Sequence, residues 1–210
     1  MINKTKPGQD TDHEAIQTDH VKRMTVSDAQ SHDYWINIMH RRYPVYIELI
    51  NKYKSGNLMH DIGCGFAGVW YENYVKPSGY EYSCTDLTDE VVAYMENMLK
   101  TNGPGSYAKK GALESLPWPE NSFDIVYASL ILEHCQDIVK TFDEIRRVLK
   151  PTGILLFAVP CGYDDEPAHT HNRHLHEWRE DFEQNGFKIL ESGQFDFNQD
   201  EFYGVAQPTN

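Results

Sequence analysis

Leu58-Met59-His60-Asp61-Ile62-Gly63-Cys64-Gly65 decides how this chain is read, because a short apolar run ends at Asp61-Ile62 and breaks into two alternate glycines. The run reads as a strand. Glycines directly after a strand let the backbone turn sharply and approach a ligand without side-chain interference. A helix after such a turn points its amide dipole at whatever binds there. A glycine turn is also ordinary punctuation between a strand and a helix, so the motif needs support from elsewhere.

Support comes from the next apolar run, which ends at Asp86, a position from which a carboxylate can accept hydrogen bonds from both hydroxyls of a ribose. Asp86-Leu87-Thr88-Asp89 also suits a helix start ahead of Glu90, Val91 and Val92, and the two roles are compatible. Around these runs, strands expected at 57–62, 80–85, 107–110, 124–130, 153–159, 187–191 and 201–206 alternate with helices, the signature of parallel βα units. Val91, Met95, Met98 and Leu99 make one helix face, and Ile138, Phe142, Ile145 and Leu149 make another, ended by Pro151 and Gly153. Leu175, Trp178 and Phe182 mark a last helix stopped at Gly186. The expected fold class is α/β, with seven strands and parallel βα units.

Ahead of the first strand, residues 31–54 read as two helical stretches meeting at Pro44, the second with an apolar face of Val45, Tyr46, Leu49, Ile50 and Tyr53. Residues 1–30 are polar and weakly periodic, a mobile arm or loosely attached helical turns. Length and composition suit one core: 210 residues, 40% hydrophobic and 12% aromatic. A net charge of −13 disfavours a nucleic-acid surface, leaving small molecules or proteins as partners. Cys64, Cys84, Cys135 and Cys161 form no CxxC pair and read as reduced thiols of a cytoplasmic protein. The first residues lack the apolar run of a signal peptide, and no segment has the length to cross a membrane.

From residue 57 to 206 the chain resembles the class I S-adenosylmethionine-dependent methyltransferases, especially the small-molecule group with a Leu-Pro-aromatic-Pro motif. Four ordered matches carry the resemblance: 58–65, 85–87, the stretch opening Leu116-Pro117-Trp118-Pro119 through Asp124, and 142–153 around Arg146-Arg147-Val148-Leu149-Lys150-Pro151. It implies a Rossmann-like methyltransferase fold at 56–210, a doubly wound, mostly parallel seven-stranded sheet with the last strand antiparallel and helices on both faces, with 1–55 an amino-terminal arm and helical lid. It also implies S-adenosylmethionine as cofactor, with Gly63 and Gly65 flanking its methionine part, Asp61 near its amino group, Asp86 on the ribose, and Ser129 lining the site. Two departures stand out. The family's third glycine falls at Ala67, followed by Gly68, and the acid that often meets the adenine amine falls at Ala112. Adenine would then rest on backbone of Ala112 and Leu113 and on packing by Leu87.

Methyl transfer from a sulfonium asks a protein mainly to align a nucleophile and exclude water, with a base helping where the acceptor is a hydroxyl. Histidine suits that role near neutral pH. The candidates are His134, after the fourth strand, and His171 and His174 in the run His169-Thr170-His171-Asn172-Arg173-His174-Leu175-His176. His169, Arg173, His176 and Tyr34 are candidate contacts to a small, sugar-like or acidic acceptor, with an ion pair to Glu166 or Glu177 the alternative for Arg173. Four histidines in eight positions invite a metal, yet His174 and His176 diverge if the helix has begun, so no metal ligands are expected in this run. The expected activity is methylation of an oxygen or nitrogen by in-line displacement. The alternative is a non-catalytic binder of the same cofactor or its product, S-adenosylhomocysteine. A nicotinamide-dependent oxidoreductase fits poorly, since its fingerprint needs the fuller three-glycine spacing.

Overall fold

The computed structural model describes residues 13–25, 29–100, 106–195 and 201–209, and the side chains at 14 and 23–36, Tyr34 and Trp35 among them, lie outside that description. Seven strands form one sheet: β1 (Leu58–Ile62), β2 (Glu81–Asp86), β3 (Tyr107–Lys110), β4 (Phe123–Ser129), β5 (Leu149–Val159), β6 (Phe187–Phe195) and β7 (Glu201–Pro208). Their order is β3-β2-β1-β4-β5-β7-β6. β7 runs antiparallel between β5 and β6, and the ladders from β3 through β5 are parallel.

The helices are α1 (His13–Thr25), α2 (Ala29–Tyr53), α3 (Gly68–Trp70), which widens into a π-helical turn at Tyr71–Val75, α4 (Asp89–Leu99), α5 (Ile138–Val148) and α6 (Leu175–Gln184). Alternation along the central strands splits the core in two. Ile125, Tyr127, Ile154 and Leu156 face α2 to α4, and Val126, Ala128, Leu155 and Phe157 face α5 and α6. The chain therefore winds away from β1 in one direction and from β4 in the other. The crevice at their carboxyl ends is where ligands bind in open α/β sheets.

Two local expectations differ from the structure. Pro44 lies inside the single helix α2 instead of dividing it. Pro44 is exposed while Tyr46 and Ile50 are fully buried on the sheet, so the freed carbonyl can be hydrated and burial outweighs the roughly 3 kcal/mol cost of an interior proline. α5 ends at Val148, and Leu149 already pairs with Phe123 as the start of β5, so the strand begins before Gly153.

Candidate active site

The glycine turn is built on the β1–β2 ladder. Gly63 N and Cys64 N both donate to the Thr85 carbonyl, at 2.7 and 3.2 Å, and Gly65 N donates to Asp86 Oδ2 at 3.0 Å. Gly63 and Gly65 adopt φ of 62° and 52°, a region that side-chain-bearing residues avoid. A Cβ on Gly63 would lie 2.1 Å from Ile131 Cγ1, whereas one on Gly65 would meet nothing within 4 Å. Asp86 Oδ1 accepts from Thr88 N and Thr88 Oγ1, each at 2.9 Å. The Asp86 carboxylate thus braces the turn and the start of α4 together.

A cavity of about 180 Å³ opens over this turn. Gly63, Asp86 and Leu87 contribute one side, Ala112, Leu113 and Glu114 another, and Ile131 and His134 a third. His13, Gln17 and Val21 of α1 complete it. The volume is below the roughly 300–1,000 Å³ of ordinary small-molecule sites, because α1 reaches into the crevice. Ile131 is set over Gly63 by a left-handed Leu130 (φ 53°), whose N–H donates to the Ala158 carbonyl at 2.8 Å.

Asp61 lies beneath the turn, where Tyr82 donates its hydroxyl to Oδ2 at 2.6 Å. Burial pushes its pKa up to about 8, Asp86 adds to the rise, and the Tyr82 hydrogen bond opposes it. Ser129 ends β4 beside the buried Tyr46 and Tyr127. The Leu-Pro-Trp-Pro segment bolts onto β2: Trp118 Nε1 donates to Thr85 Oγ1 at 3.0 Å, and the Trp118 ring meets His60 edge-on.

Of the histidines, His134 borders the cavity and is buried. Its Nδ1 lies 3.0 Å from the Ala168 carbonyl, which can only accept, so Nδ1 carries the proton and Nε2 keeps a lone pair. Burial first, then His169 and His20, lower its pKa to about 3, so the ring is neutral at physiological pH. His169 packs edge-on against it, ring centres 4.8 Å apart. His171 is buried away from the cavity lining, with its pKa lowered to about 4 by burial and then by Arg173. His174 is an exposed residue at the N-cap of α6, where its N–H donates to Glu177 Oε2 at 2.7 Å. His174 and His176 do not diverge: His174 is extended, the helix has not begun, and the rings stack at 6.1 Å. Arg173, a candidate acceptor contact with an ion pair to Glu166 or Glu177 as the alternative, pairs with Asp181 at 3.1 Å. The cavity thus joins Gly63, Asp86, Leu87, Ala112, Leu113 and His134, while Asp61, Gly65, Ser129, His169, His171, Arg173, His174 and His176 lie outside its lining.

Residues 60–157 match the family model described as a methyltransferase domain. This stretch carries a methyltransferase domain, similar to those of the class I S-adenosylmethionine-dependent enzymes. Sterol 24-C-methyltransferase from Gibberella zeae is 34% identical over 103 residues, covering 48% of this chain and 27% of that protein. An uncharacterized methyltransferase, YcgJ, from Bacillus subtilis is 28% identical over 138 residues, covering 59% of this chain and 53% of that one. The matched part thus spans about half or less of these relatives' length. In fold, the chain is similar to 1,6-didemethyltoxoflavin-N1-methyltransferase from Burkholderia thailandensis, with a TM-score of 0.77 at 15% identity over 99% of this chain and 94% of that one.

Residues 1–30 read as an arm or loose helical turns, and what that reading missed is how α1 docks: Gln17 Nε2 donates to the Ala168 carbonyl at 3.0 Å and Val21 packs against the core, too few apolar contacts to leave a periodicity in the sequence. Glu133 was likewise passed over as part of a strand end. It is 1% exposed, and burial raises its pKa to about 8.

Proposed function

We propose that this chain transfers a methyl group from S-adenosylmethionine to an oxygen or nitrogen of a small molecule by direct in-line displacement. The observation that carries the reading is the Gly65–Asp86 hydrogen bond at the rim of the cavity, which joins the glycine turn and the ribose-type acid into one site. The residues present fit the cofactor. Gly63 and Asp86 both line the cavity, and Gly65, hydrogen-bonded to Asp86, has open space where a side chain would stand.

When bound, S-adenosylmethionine supplies an electrophilic methyl on a positively charged sulfur. Asp86 accepts from the ribose hydroxyls. Three of about four carboxylate acceptor sites are already used, so a two-hydroxyl grip requires the Thr88 hydroxyl to swing away. Asp61 faces the amino group, and Leu87 with backbone at Ala112 and Leu113 holds the base. Ser129 lies further along the same edge. α1 acts as a lid that excludes water, and 1–55 form the arm and lid on the α/β unit at 56–210.

Arg173 is spent on Asp181, which removes the cation that favoured an acidic acceptor and leaves a neutral, hydroxyl- or amine-bearing one, sugar-like in polarity. His134 is the histidine positioned to touch that acceptor, and His169 stands behind it. Acidity of the chain argues against nucleic acid as substrate. The four free thiols suit the cytoplasm. Among the described residues no helix is long and apolar enough to cross a membrane.

The test is incubation with methyl-labelled S-adenosylmethionine and a panel of hydroxylated and amino small molecules. A labelled product together with S-adenosylhomocysteine is expected. Tight cofactor binding with no methylated product across the panel would leave the non-catalytic binder as the better account.

A further inference from the structure

We propose that Glu133, His134 and His169 form a binding site for a divalent transition metal ion, with zinc the first choice, beside the cavity. One ligating atom from each residue lies within 4.8 Å of the other two. His134 Nε2 stands 3.9 Å from Glu133 Oε1. Two imidazoles and a carboxylate are the donor set of open zinc and iron(II) sites.

Hydrogen bonding prepares both imidazoles in the same way. His134 Nδ1 donates to the Ala168 carbonyl, and His169 Nδ1 lies 2.7 Å from Asp164 Oδ2. Each ring therefore keeps its Nε2 lone pair for a metal, with the outer partner fixing its tautomer and orientation. Glu133 Oε2 is buried with no hydrogen-bond partner, a polar atom left unsatisfied that a bound cation would engage.

The sequence separates His169 from Glu133, and the fold joins them. Thr170 N and His171 N donate to the Glu133 carbonyl at 2.8 and 3.0 Å, which brings the loop carrying His169 alongside His134. His20 of α1 adds a further ring, centred 5.1 Å from that of His134. Zinc bonds of about 2.1 Å set tetrahedral donors about 3.4 Å apart, so donors now within 4.8 Å of one another would draw together by about an ångström on binding. His134 also lines the cavity, so a remaining coordination position opens towards it. An acceptor oxygen or nitrogen at that position would be held and made more acidic. This last role rests on the methyl-transfer reading, and the metal site does not.

The experiment uses the tag-free full chain, stripped by chelator and titrated with zinc chloride, then with cobalt(II) for its visible spectrum. About one zinc per chain is expected. His169→Ala and Glu133→Gln should each weaken binding about tenfold or more and change the cobalt spectrum, while His176→Ala leaves both as they were. Circular dichroism of each variant confirms that it is folded, and Glu133→Asp provides a second carboxylate variant should the glutamine form fail to fold. Absence of zinc on folded wild-type protein, or binding unaffected by the His169 and Glu133 variants, overturns the site. Titration of the metal-free protein with S-adenosylhomocysteine reports the cofactor site separately, so the two failures are distinguishable.

Discussion

Gly63 and Gly65 share a left-handed backbone but differ in what surrounds them, which separates folding from binding at single-residue resolution. Gly63→Ala drives a methyl group into Ile131 and adds backbone strain, so a loss of about 2–4 kcal/mol is expected in urea unfolding. Gly65→Ala should cost only about 1 kcal/mol, the strain alone, and instead impair S-adenosylhomocysteine binding, because its methyl group enters the open space. The glycines were legible because their spacing is local. His60 was not, since every position of a central strand is buried and nothing marks this one. It sits flat on Phe123 between the Ser83 and Thr85 hydroxyls, and burial lowers its pKa to about 3. Its folded pKa lies below the ordinary value of about 6.5, so the unfolded chain binds more protons between the two. Stability from this group is full above pH 6.5 and falls by up to about 1.4 kcal/mol per unit as pH drops towards 3. Urea unfolding of wild type and His60→Gln from pH 7 to 4 should show a steeper loss in the wild type, and parallel curves would refute the assignment. Asp61 works in the opposite sense. Held near pKa 8, it should release a proton when an ammonium group binds beside it, seen as a buffer-dependent heat at pH 7.

Among the elements, α4, α5 and α6 were legible from apolar spacing, because each buries one stripe on the sheet: Val91, Met95 and Leu99, then Phe142 and Ile145, then Trp178 and Phe182. The docking of α1 was not, because it meets the chain through scattered contacts of Gln17, His20 and Val21 that form no apolar stripe. On the lid reading, so lightly held a helix is expected to open before the sheet does. Removing one buried hydrogen bond costs about 1 kcal/mol, so Gln17→Ala should speed amide exchange in α1 and S-adenosylhomocysteine dissociation about fivefold, with β4 and β5 unchanged. Equal loosening of helix and sheet would mean that α1 is part of the core and not a cover. Pro44 marks the limit of punctuation rules at this scale: a proline ends a helix unless the helix face beside it is buried deeply enough to keep the backbone helical through it.

Across the whole molecule, the alternation of short apolar runs with amphipathic helices made the α/β class readable, and the fold supplies the strand order β3-β2-β1-β4-β5-β7-β6. That order puts the ends of β1, β2 and β4 on one edge and so brings Gly65, Asp86 and His134 together from three separate βα units. Hidden in the sequence was everything that depends on loops meeting across that edge, above all the placement of His169 beside Glu133 and His134. The direct test of the account is calorimetric titration of wild-type and Asp86→Ala protein with S-adenosylhomocysteine. Binding at about micromolar Kd or tighter in the wild type, weakened about tenfold or more by the substitution, is the predicted result. No heat at concentrations well above micromolar, or equal affinity in both proteins, would contradict it.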